Sequence, residues 1–369
     1  MKPWVFLATM LIENLLVGGF ALLYPRIVRK GLLFGVYVGE ARSESEEAEA
    51  ITRGWNRGIV ALLAVCVLLG GILSFATPDP YAAVVPVHLQ IVVFLGLYLR
   101  AYFRARALAP PGPPPPAVAP LSATPATSAL LPALTLAVSV ACGAFAVAYT
   151  WAHYSELPGT VPTHFGASGE PDAFRPKSVS SVMLLPVLVL VIGTFLGGMS
   201  WLTAHAKRVL RRSAEETSLA AQLRFRAAVT RFLCGISLVA VGMLTLISVV
   251  SVRVGLGLSL RLPPAVNVLG ILVAVYAVGG AIYLALRYGQ GGARLEKARA
   301  DTPLTDGLAD NRHWVLGMFY VNRDDPSFLV ERRFGIGYTL NFGNWKAVTV
   351  VLGFVALVLV LTAVAALVS

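Results

Sequence analysis

Apolar runs long enough to cross a lipid bilayer recur along most of the chain. A transmembrane helix needs about 20 predominantly apolar residues. We therefore expect an all-α, polytopic transmembrane bundle of about eight spans. The predicted spans are residues 4–24, 58–77, 83–103, 129–152, 179–204, 232–252, 265–287 and 347–368.

The composition and the placement of charge agree with a membrane protein. The 369-residue chain is 57% hydrophobic and 13% charged, whereas soluble domains are about 45–50% apolar and about 25% charged. The net charge of +11 is also compatible with nucleic-acid binding. However, the basic residues lie in short connections between apolar runs, and no nucleic-acid-binding motif is present. We predict the lipid bilayer as a partner and no nucleic acid.

Lys and Arg are concentrated in alternate connections, and this predicts the orientation. With the N-terminus outside, the inside segments are 25–57, 100–128, 205–231 and 287–346, which carry 25 of the 30 basic residues. Because basic residues are enriched in cytoplasmic connections, we expect both termini to lie outside. The predicted location is the inner (cytoplasmic) membrane of a bacterium.

A Pro-rich stretch divides the predicted spans into two groups. Residues 109–128 combine Pro with small residues, a composition typical of an extended linker and not of a packed core. The linker follows an N-terminal three-span unit, residues 1–108. It precedes a three-span domain, residues 129–252, and a final segment, residues 253–369, which contains the last two spans and a cytoplasmic module at 312–345.

The connection 154–178, between the fourth and fifth spans, contains the most distinctive residues. Its Pro and Gly content predicts a shaped, turn-rich loop. A hydrogen bond between His164 and Asp172 that ties the loop together is the favoured interpretation, and a pH-sensitive His164 is an alternative. A metalloenzyme around His153, Glu156 and His164 is a further alternative. Because the ligand spacing is irregular, we expect no metal and no cofactor.

The same connection carries a family resemblance. The pattern LP-x-x-VPTHF-x-x-x-G-x-PD-x-x-x-x-K, from Leu157 to Lys177, resembles the signature loop of the SdpI-like family of bacterial membrane proteins, the type with domain of unknown function 1648. The resemblance covers roughly residues 130–250 and implies one span, the loop and two further spans. The loop residues that carry it are Pro158, Pro162, His164, Phe165, Gly169, Asp172 and Lys177.

The resemblance implies a function in immunity or signalling. The best-known member of the family protects a bacterium from its own secreted killing peptide and recruits a transcriptional repressor to the membrane. By resemblance, we expect a secreted peptide or envelope signal as the partner outside and a regulator protein as the partner inside. The immunity protein continues with a second module, marked by G-x-R-T and Trp, and this module is absent after residue 250.

The cytoplasmic module at 312–345 resembles a short module of unknown function found beside this domain in related membrane proteins. It reads W-x-x-G-x-FY-x-N-x-x-DP and then G-x-G-x-T-x-NF. The partly alternating pattern predicts a small β-hairpin on the membrane face. Docking of a partner and a lid over the helix ends both stay open as its role. Its candidate residues are Trp314, Gly317, Tyr320, Asn322, Asp325, Pro326, Gly335, Gly337 and Asn341.

Polar residues within the predicted spans indicate an alternative class of function. Glu13 and Asn14 lie near the middle of the first span, and His88 lies in the third. Such residues are candidates for function, and a Glu13–His88 contact would fit a secondary transporter or exporter. Hydrogen bonding between helices is the simpler interpretation. No enzyme signature occurs, so we predict a protein that is not an enzyme.

Overall fold

The computed structural model describes residues 3–76, 84–111, 129–166, 168–206, 215–295 and 310–367. Within these ranges the chain is mainly helical, because most of its apolar runs carry few residues that interrupt a helix. The helices are α1 (Pro3–Ile27), α2 (Glu40–Ser43), α3 (Glu46–Ala76), α4 (Val84–Ala107), α5 (Leu130–Ala152), α6 (Val179–Ala204), α7 (Glu215–Gly255), α8 (Ala265–Tyr288) and α9 (Trp345–Leu367).

The described strands form four separate antiparallel hairpins. They are β1 (Leu32–Leu33) with β2 (Val36–Tyr37), β3 (Thr160–Phe165) with β4 (Pro171–Pro176), β5 (Trp314–Val315) with β6 (Phe319–Tyr320), and β7 (Leu329–Glu331) with β8 (Tyr338–Leu340). The module predicted as one hairpin therefore contains two. A parallel bridge between Tyr320 and Asn341 joins them.

The long helices lie where the sequence predicted spans, and the helical membrane bundle is confirmed. Helices α3 to α8 are long and apolar enough to cross a bilayer, whereas the described parts of α1 and α9 give shorter apolar stretches, Leu16–Ile27 and Trp345–Leu357. The predicted count of eight spans is therefore approximate. Helix α7 has 41 residues and is about 60 Å long, about twice the hydrocarbon thickness, so it continues beyond the bilayer.

Successive long helices run in opposite directions, so their connections collect at two ends of the bundle. We call the end that carries β3–β4 and residues 256–264 the hairpin end. The opposite end carries β1–β2, residues 289–295 and residues 310–344 and is called the module end. Most of the described basic residues of the predicted inside segments lie at or near the module end.

Small residues allow α5, α6 and α7 to pack closely. A side chain at Gly143 would overlap the backbone of α6, and side chains at Gly193 and Gly197 would press on the backbone of α5. The hydroxyls of Ser139 and Ser237 lie 3.0 Å apart and join α5 to α7. In a bilayer, close packing and hydrogen bonds of this kind hold helices together.

Helices α1, α3 and α4 enclose a second core together with β1–β2. Trp55 is buried, donates its indole N–H to the carbonyl of Ala21 at 2.9 Å, and lies between the rings of Phe34 and Phe94. Residues 112–128 of the predicted linker lie outside the described residues. The division of the chain into domains at this linker stays a prediction.

Candidate functional site

The connection predicted as a turn-rich loop forms the β3–β4 hairpin. Thr160 pairs with Pro176 at its base and Phe165 with Pro171 near its tip, with an irregularity in register around His164. Pro171 and Pro176 occupy the first and last positions of β4. Proline donates no backbone hydrogen bond and is tolerated at strand ends and on two-stranded edges, so the proline content did not prevent strand formation.

His164 and Asp172 form a pair across this hairpin. Nδ1 of His164 lies 2.5 Å from Oδ1 of Asp172, and the side chains are 69% and 53% exposed. An exposed pair of this kind contributes about 0–1 kcal/mol to stability. The two side chains therefore shape the outer face of the hairpin more than they stabilise the fold.

Two hydrogen-bonded contacts hold the hairpin against the turns at the ends of α5, α7 and α8. At its base, the ammonium group of Lys177 donates hydrogen bonds to the carbonyls of Leu157 (2.8 Å) and Ser155 (3.2 Å). At its tip, the carbonyl of Gly169 accepts a hydrogen bond of 2.8 Å from the backbone of Leu262. Gly169 has φ +81°, and a side chain there would lie 2.5 Å from the Leu262 carbonyl oxygen. Only glycine fits this position.

A cavity of about 850 Å³ lies between the hairpin and the hairpin-end turns of α5 to α8. Its volume is within the range of about 300–1,000 Å³ that is usual for ligand sites. Four of the seven residues singled out in the loop line it: Pro162, His164, Phe165 and Gly169. The other three lie outside the lining; Pro158 and Asp172 are exposed, and Lys177 fixes the base.

The cavity has apolar walls and isolated polar groups. Leu157, Val161 and Val252 form a buried apolar cluster on one side. Thr150 and Ser248 are 1% and 2% exposed, line the same cavity, and have hydroxyls without a hydrogen-bond partner. Buried polar groups almost always have a partner in protein, water or ligand. These hydroxyls therefore need a partner from water or from a bound group in the cavity.

Comparison with known families supports the resemblance seen in the sequence. Residues 143–190 match the family model named Domain of unknown function (DUF1648). The chain carries a DUF1648 domain. The match covers the end of α5, the whole β3–β4 hairpin and the first half of α6. These elements contribute the hairpin and one wall of the cavity, and the chain is consistent with an SdpI-like membrane protein.

The other comparisons add a second family and one relative. Residues 323–348 match the Family of unknown function (DUF5808). An uncharacterized protein of Archaeoglobus fulgidus is 41% identical to the chain over 56 residues, which are 13% of this chain and 31% of that relative. The chain thus matches less than a third of the relative's length. No solved structure matches the chain.

The sequence did not reveal several residues that line the cavity. Some of them lie inside the DUF1648 match and some lie outside it. Thr150 and Ser248 have no distinctive neighbours in the sequence, and Arg175 lies in the signature loop at a position that the motif leaves open. Only the fold brings the three residues together. Pro186 offered a signal, since proline inside a span removes a helical hydrogen bond. It lies within α6 and lines the cavity.

The polar residues singled out in the spans lie away from this cavity. Asn14 is buried in α1 and His88 is exposed on α4. The side chain of Glu13 lies outside the described residues, and so does the predicted Glu13–His88 contact. The described ranges contain no group of three His, Cys, Asp or Glu side chains arranged to hold a metal ion. Nδ1 of His153 instead lies 2.9 Å from the Tyr149 carbonyl.

The DUF5808 segment is organised around Asn341. This side chain is fully buried; its amide donates to the carbonyls of Asn322 and Asp325, both at 2.8 Å, and its oxygen accepts from the backbone N–H groups of Asn322 and Gly343, both at 3.0 Å. All four hydrogen-bonding positions of the amide are used. Asn341 therefore fixes the relative position of the two hairpins of the module.

The remaining module residues support this arrangement. Tyr320 donates its hydroxyl to Asp325 at 2.9 Å. Burial raises the pKa of Tyr320, the hydrogen bond from Asn322 partly offsets this, and the Asp325 carboxylate raises it further. Trp314 is buried with its ring 4.9 Å from the Arg333 guanidinium. Pro326 accepts a hydrogen bond from Asn344, and Gly335 and Gly337 have φ +88° and +97° between β7 and β8.

A buried polar seam attaches the module to the N-terminal helices. Arg29 and Glu331 are 2% and 5% exposed, and Nη2 of Arg29 lies 3.5 Å from Oε1 of Glu331. Gln290 accepts from the backbone of Arg29 at 3.0 Å and donates to the carbonyl of Arg332 at 2.5 Å. Residues far apart in the sequence are thereby held in one network at the module end.

Two hairpin turns meet back to back in this seam. Gly35, in the β1–β2 turn, and Gly317, in the β5–β6 turn, approach so closely that a side chain at Gly35 would lie 2.6 Å from the Gly317 carbonyl oxygen. The hydroxyl of Tyr98 donates to the Leu316 carbonyl at 2.7 Å and lies 3.3 Å from that of Phe34. The close approach explains the glycine in the module motif.

Proposed function

We propose that this chain is a non-enzymatic immunity or signalling protein of the bacterial cytoplasmic membrane. It binds a secreted peptide or an envelope signal at the hairpin end. The cavity beneath the β3–β4 hairpin is the observation that supports this proposal most, since it combines the signature residues with a site of ligand size. The family resemblance supplies the expected class of function.

The chemistry of the cavity fits binding better than catalysis. Its lining contains His164 and Arg175 as ionisable side chains, together with scattered hydroxyls and apolar walls. Acid–base and nucleophilic catalysis need a reactive group that is hydrogen-bonded to an orienting partner near a bound substrate. The partner of His164 is Asp172, and this pair is largely exposed to solvent.

The module end is suited to transmit a conformational change from the hairpin end or to hold one conformation. In the proposed orientation it lies in the cytoplasm, where the DUF5808 segment is fixed to the N-terminal helices through Arg29 and Glu331. A ligand that moves α6 or α7 at the hairpin end acts on helices that reach the module end. A regulator protein inside the cell is the proposed recipient of that change.

Loss of the His164–Asp172 pair tests the proposed function. Cells that express the chain are exposed to culture supernatant of the source organism, and their survival is compared with that of cells lacking the chain. We expect His164→Ala with Asp172→Ala to abolish protection while the amount of protein in the membrane is unchanged. Glu170→Ala is the matched control, because Glu170 is an exposed acid on the same hairpin. Full protection by the double variant would contradict the proposal.

Thiol labelling tests the orientation on which the proposal depends. After replacement of Cys66, Cys142 and Cys234, single cysteines are placed in the exposed positions Ser168 and Arg323. We expect a membrane-impermeant maleimide to label Ser168→Cys in intact cells and to label Arg323→Cys only after lysis. The reverse pattern would place the cavity on the wrong side of the membrane.

A further inference from the structure

We propose that the hairpin-end cavity binds the C-terminal segment of an apolar peptide, with the terminal carboxylate at Arg175. This inference rests on the proposed function and names the ligand class of the same site. Three features of the lining carry it: an unpartnered cation at the rim, apolar walls, and buried groups that need hydrogen-bond partners.

The positive charge at the rim of the cavity favours an anionic group on the ligand. Arg175 is an exposed residue of β4 that lines the cavity, and its side chain forms no hydrogen bond or ion pair with the described residues. No Asp or Glu belongs to the lining. A guanidinium presents a planar set of donors that matches a carboxylate, whereas a cationic group would find no carboxylate among the lining residues.

The apolar walls of the cavity favour a ligand with an apolar body. Leu157, Val161 and Val252 are buried in one apolar cluster. Leu185 and Val266 add further apolar surface to the lining. Apolar side chains of a ligand are stabilised by burial against such walls. The carboxylate at the rim and the apolar body therefore belong to one amphiphilic ligand.

The buried polar groups select a peptide over a simple acyl chain. The hydroxyls of Thr150 and Ser248 lack partners. Pro186 has no N–H, so the carbonyl of Val182, one turn earlier in α6, lacks its usual helical donor. Peptide N–H and C=O groups can satisfy the hydroxyls and this carbonyl. An acyl chain would leave the two buried hydroxyls without partners and would supply no donor for this carbonyl.

Two peptides that differ only at the C-terminus test whether the terminal carboxylate contributes to binding. The full chain is placed in phosphatidylcholine nanodiscs and titrated with the dansylated peptide Gly-Leu-Val-Phe-Leu, once with a free C-terminal carboxylate and once as the amide, with empty nanodiscs as background. We expect the acid to bind about fivefold more tightly than the amide, the effect of one partly exposed charge contact. Equal affinities would overturn the proposal.

Three variants locate the effect. Arg175→Gln is expected to remove the preference for the acid, and Arg253→Gln to leave it intact, because Arg253 is exposed near the same end but does not line the cavity. Ser248→Ala is expected to weaken both peptides by about threefold through loss of a hydrogen bond. A preference for the acid that persists in Arg175→Gln would overturn the proposal.

An acyl-chain probe and a thiol provide independent checks. Binding of 11-(dansylamino)undecanoic acid as tight as that of the acid peptide, with the same dependence on Arg175, would assign the cavity to fatty acids and overturn the peptide. Ser248→Cys should react with a small methanethiosulfonate and be protected by the acid peptide, whereas Ser237→Cys, in the α5–α7 contact, should not react.

The outcomes separate this inference from the proposed function. If His164→Ala with Asp172→Ala abolishes protection but the acid and amide bind equally, the ligand class is wrong and the immunity or signalling function stands. If the acid preference depends on Arg175 but the double variant protects fully, the peptide site stands and the proposed function is wrong.

Discussion

The two ends of the bundle place their buried polar groups in different surroundings. At the module end, Asn341 uses all four of its hydrogen-bonding positions, and Arg29 lies against Glu331. At the hairpin end, the hydroxyls of Thr150 and Ser248 are buried in a cavity without partners. Buried polar groups that are hydrogen-bonded or ion-paired with one another, as Asn341 is, fix a structure, whereas buried hydroxyls that line a cavity can bind a polar ligand. The contrast supports the proposal that the module end anchors the fold and the hairpin end binds a ligand.

The largest difference in stability between the two ends is expected when one carboxylate at each end is replaced by its amide. Glu331→Gln leaves the buried guanidinium of Arg29 without its ionic partner, and removal of one member of a buried pair costs about 3–5 kcal/mol. Asp172→Asn disturbs an exposed pair and is expected to cost at most about 1 kcal/mol. Thermal unfolding in the same detergent compares the two variants with the parent chain. Similar losses of stability would contradict the assignment of anchoring to the module end.

The next largest loss of stability is expected at the module end, where two backbone turns are in contact. Gly35→Ala combines a positive φ of +80° with overlap against the backbone of Gly317, and we expect a loss of about 2–4 kcal/mol. Gly39→Ala is the matched control, because Gly39 has φ +88° but nothing within 4 Å of the added carbon. The control should lose only about 1–2 kcal/mol. Equal losses would show that the back-to-back turns add no constraint.

The smallest effect is expected at the hairpin end. Ser248→Ala removes a buried hydroxyl that has no partner, so the free energy of unfolding should stay within about 0.5 kcal/mol of the parent value or rise. Ser139→Ala removes a hydroxyl of the Ser139–Ser237 hydrogen bond and should cost about 1 kcal/mol. A loss in Ser248→Ala as large as in Ser139→Ala would indicate that Ser248 has a structural partner.

The sequence predicted those features that depend on local composition. The spans follow from the length of apolar runs, and the positions of α5 and α6 agree with residues 129–152 and 179–204. The loop at 154–178 was recognised by its motif, but its strands were not predicted, because Pro162, Pro171 and Pro176 disfavour strand formation. The structure places these prolines where a two-stranded hairpin tolerates them.

The features that depend on contacts between distant residues were not predicted from the sequence. The partners Arg29 and Glu331 come from opposite ends of the chain, and neither has a local pattern that indicates burial. The cavity combines residues of four helices and a hairpin, so Thr150 and Ser248 look like ordinary small polar residues in spans. Only the packing of the helices shows that they share one cavity.

Hydrogen exchange of the whole chain in nanodiscs tests the contrast between the two ends most directly. All three residues of β7 are buried, whereas most residues of β4 are exposed, and amides in weakly buried segments open at lower free-energy cost. The amides of β3–β4 are predicted to exchange at least about tenfold faster than those of β7–β8. Exchange of β7–β8 as fast as or faster than that of β3–β4 would contradict a fixed module end and an open, ligand-binding hairpin end.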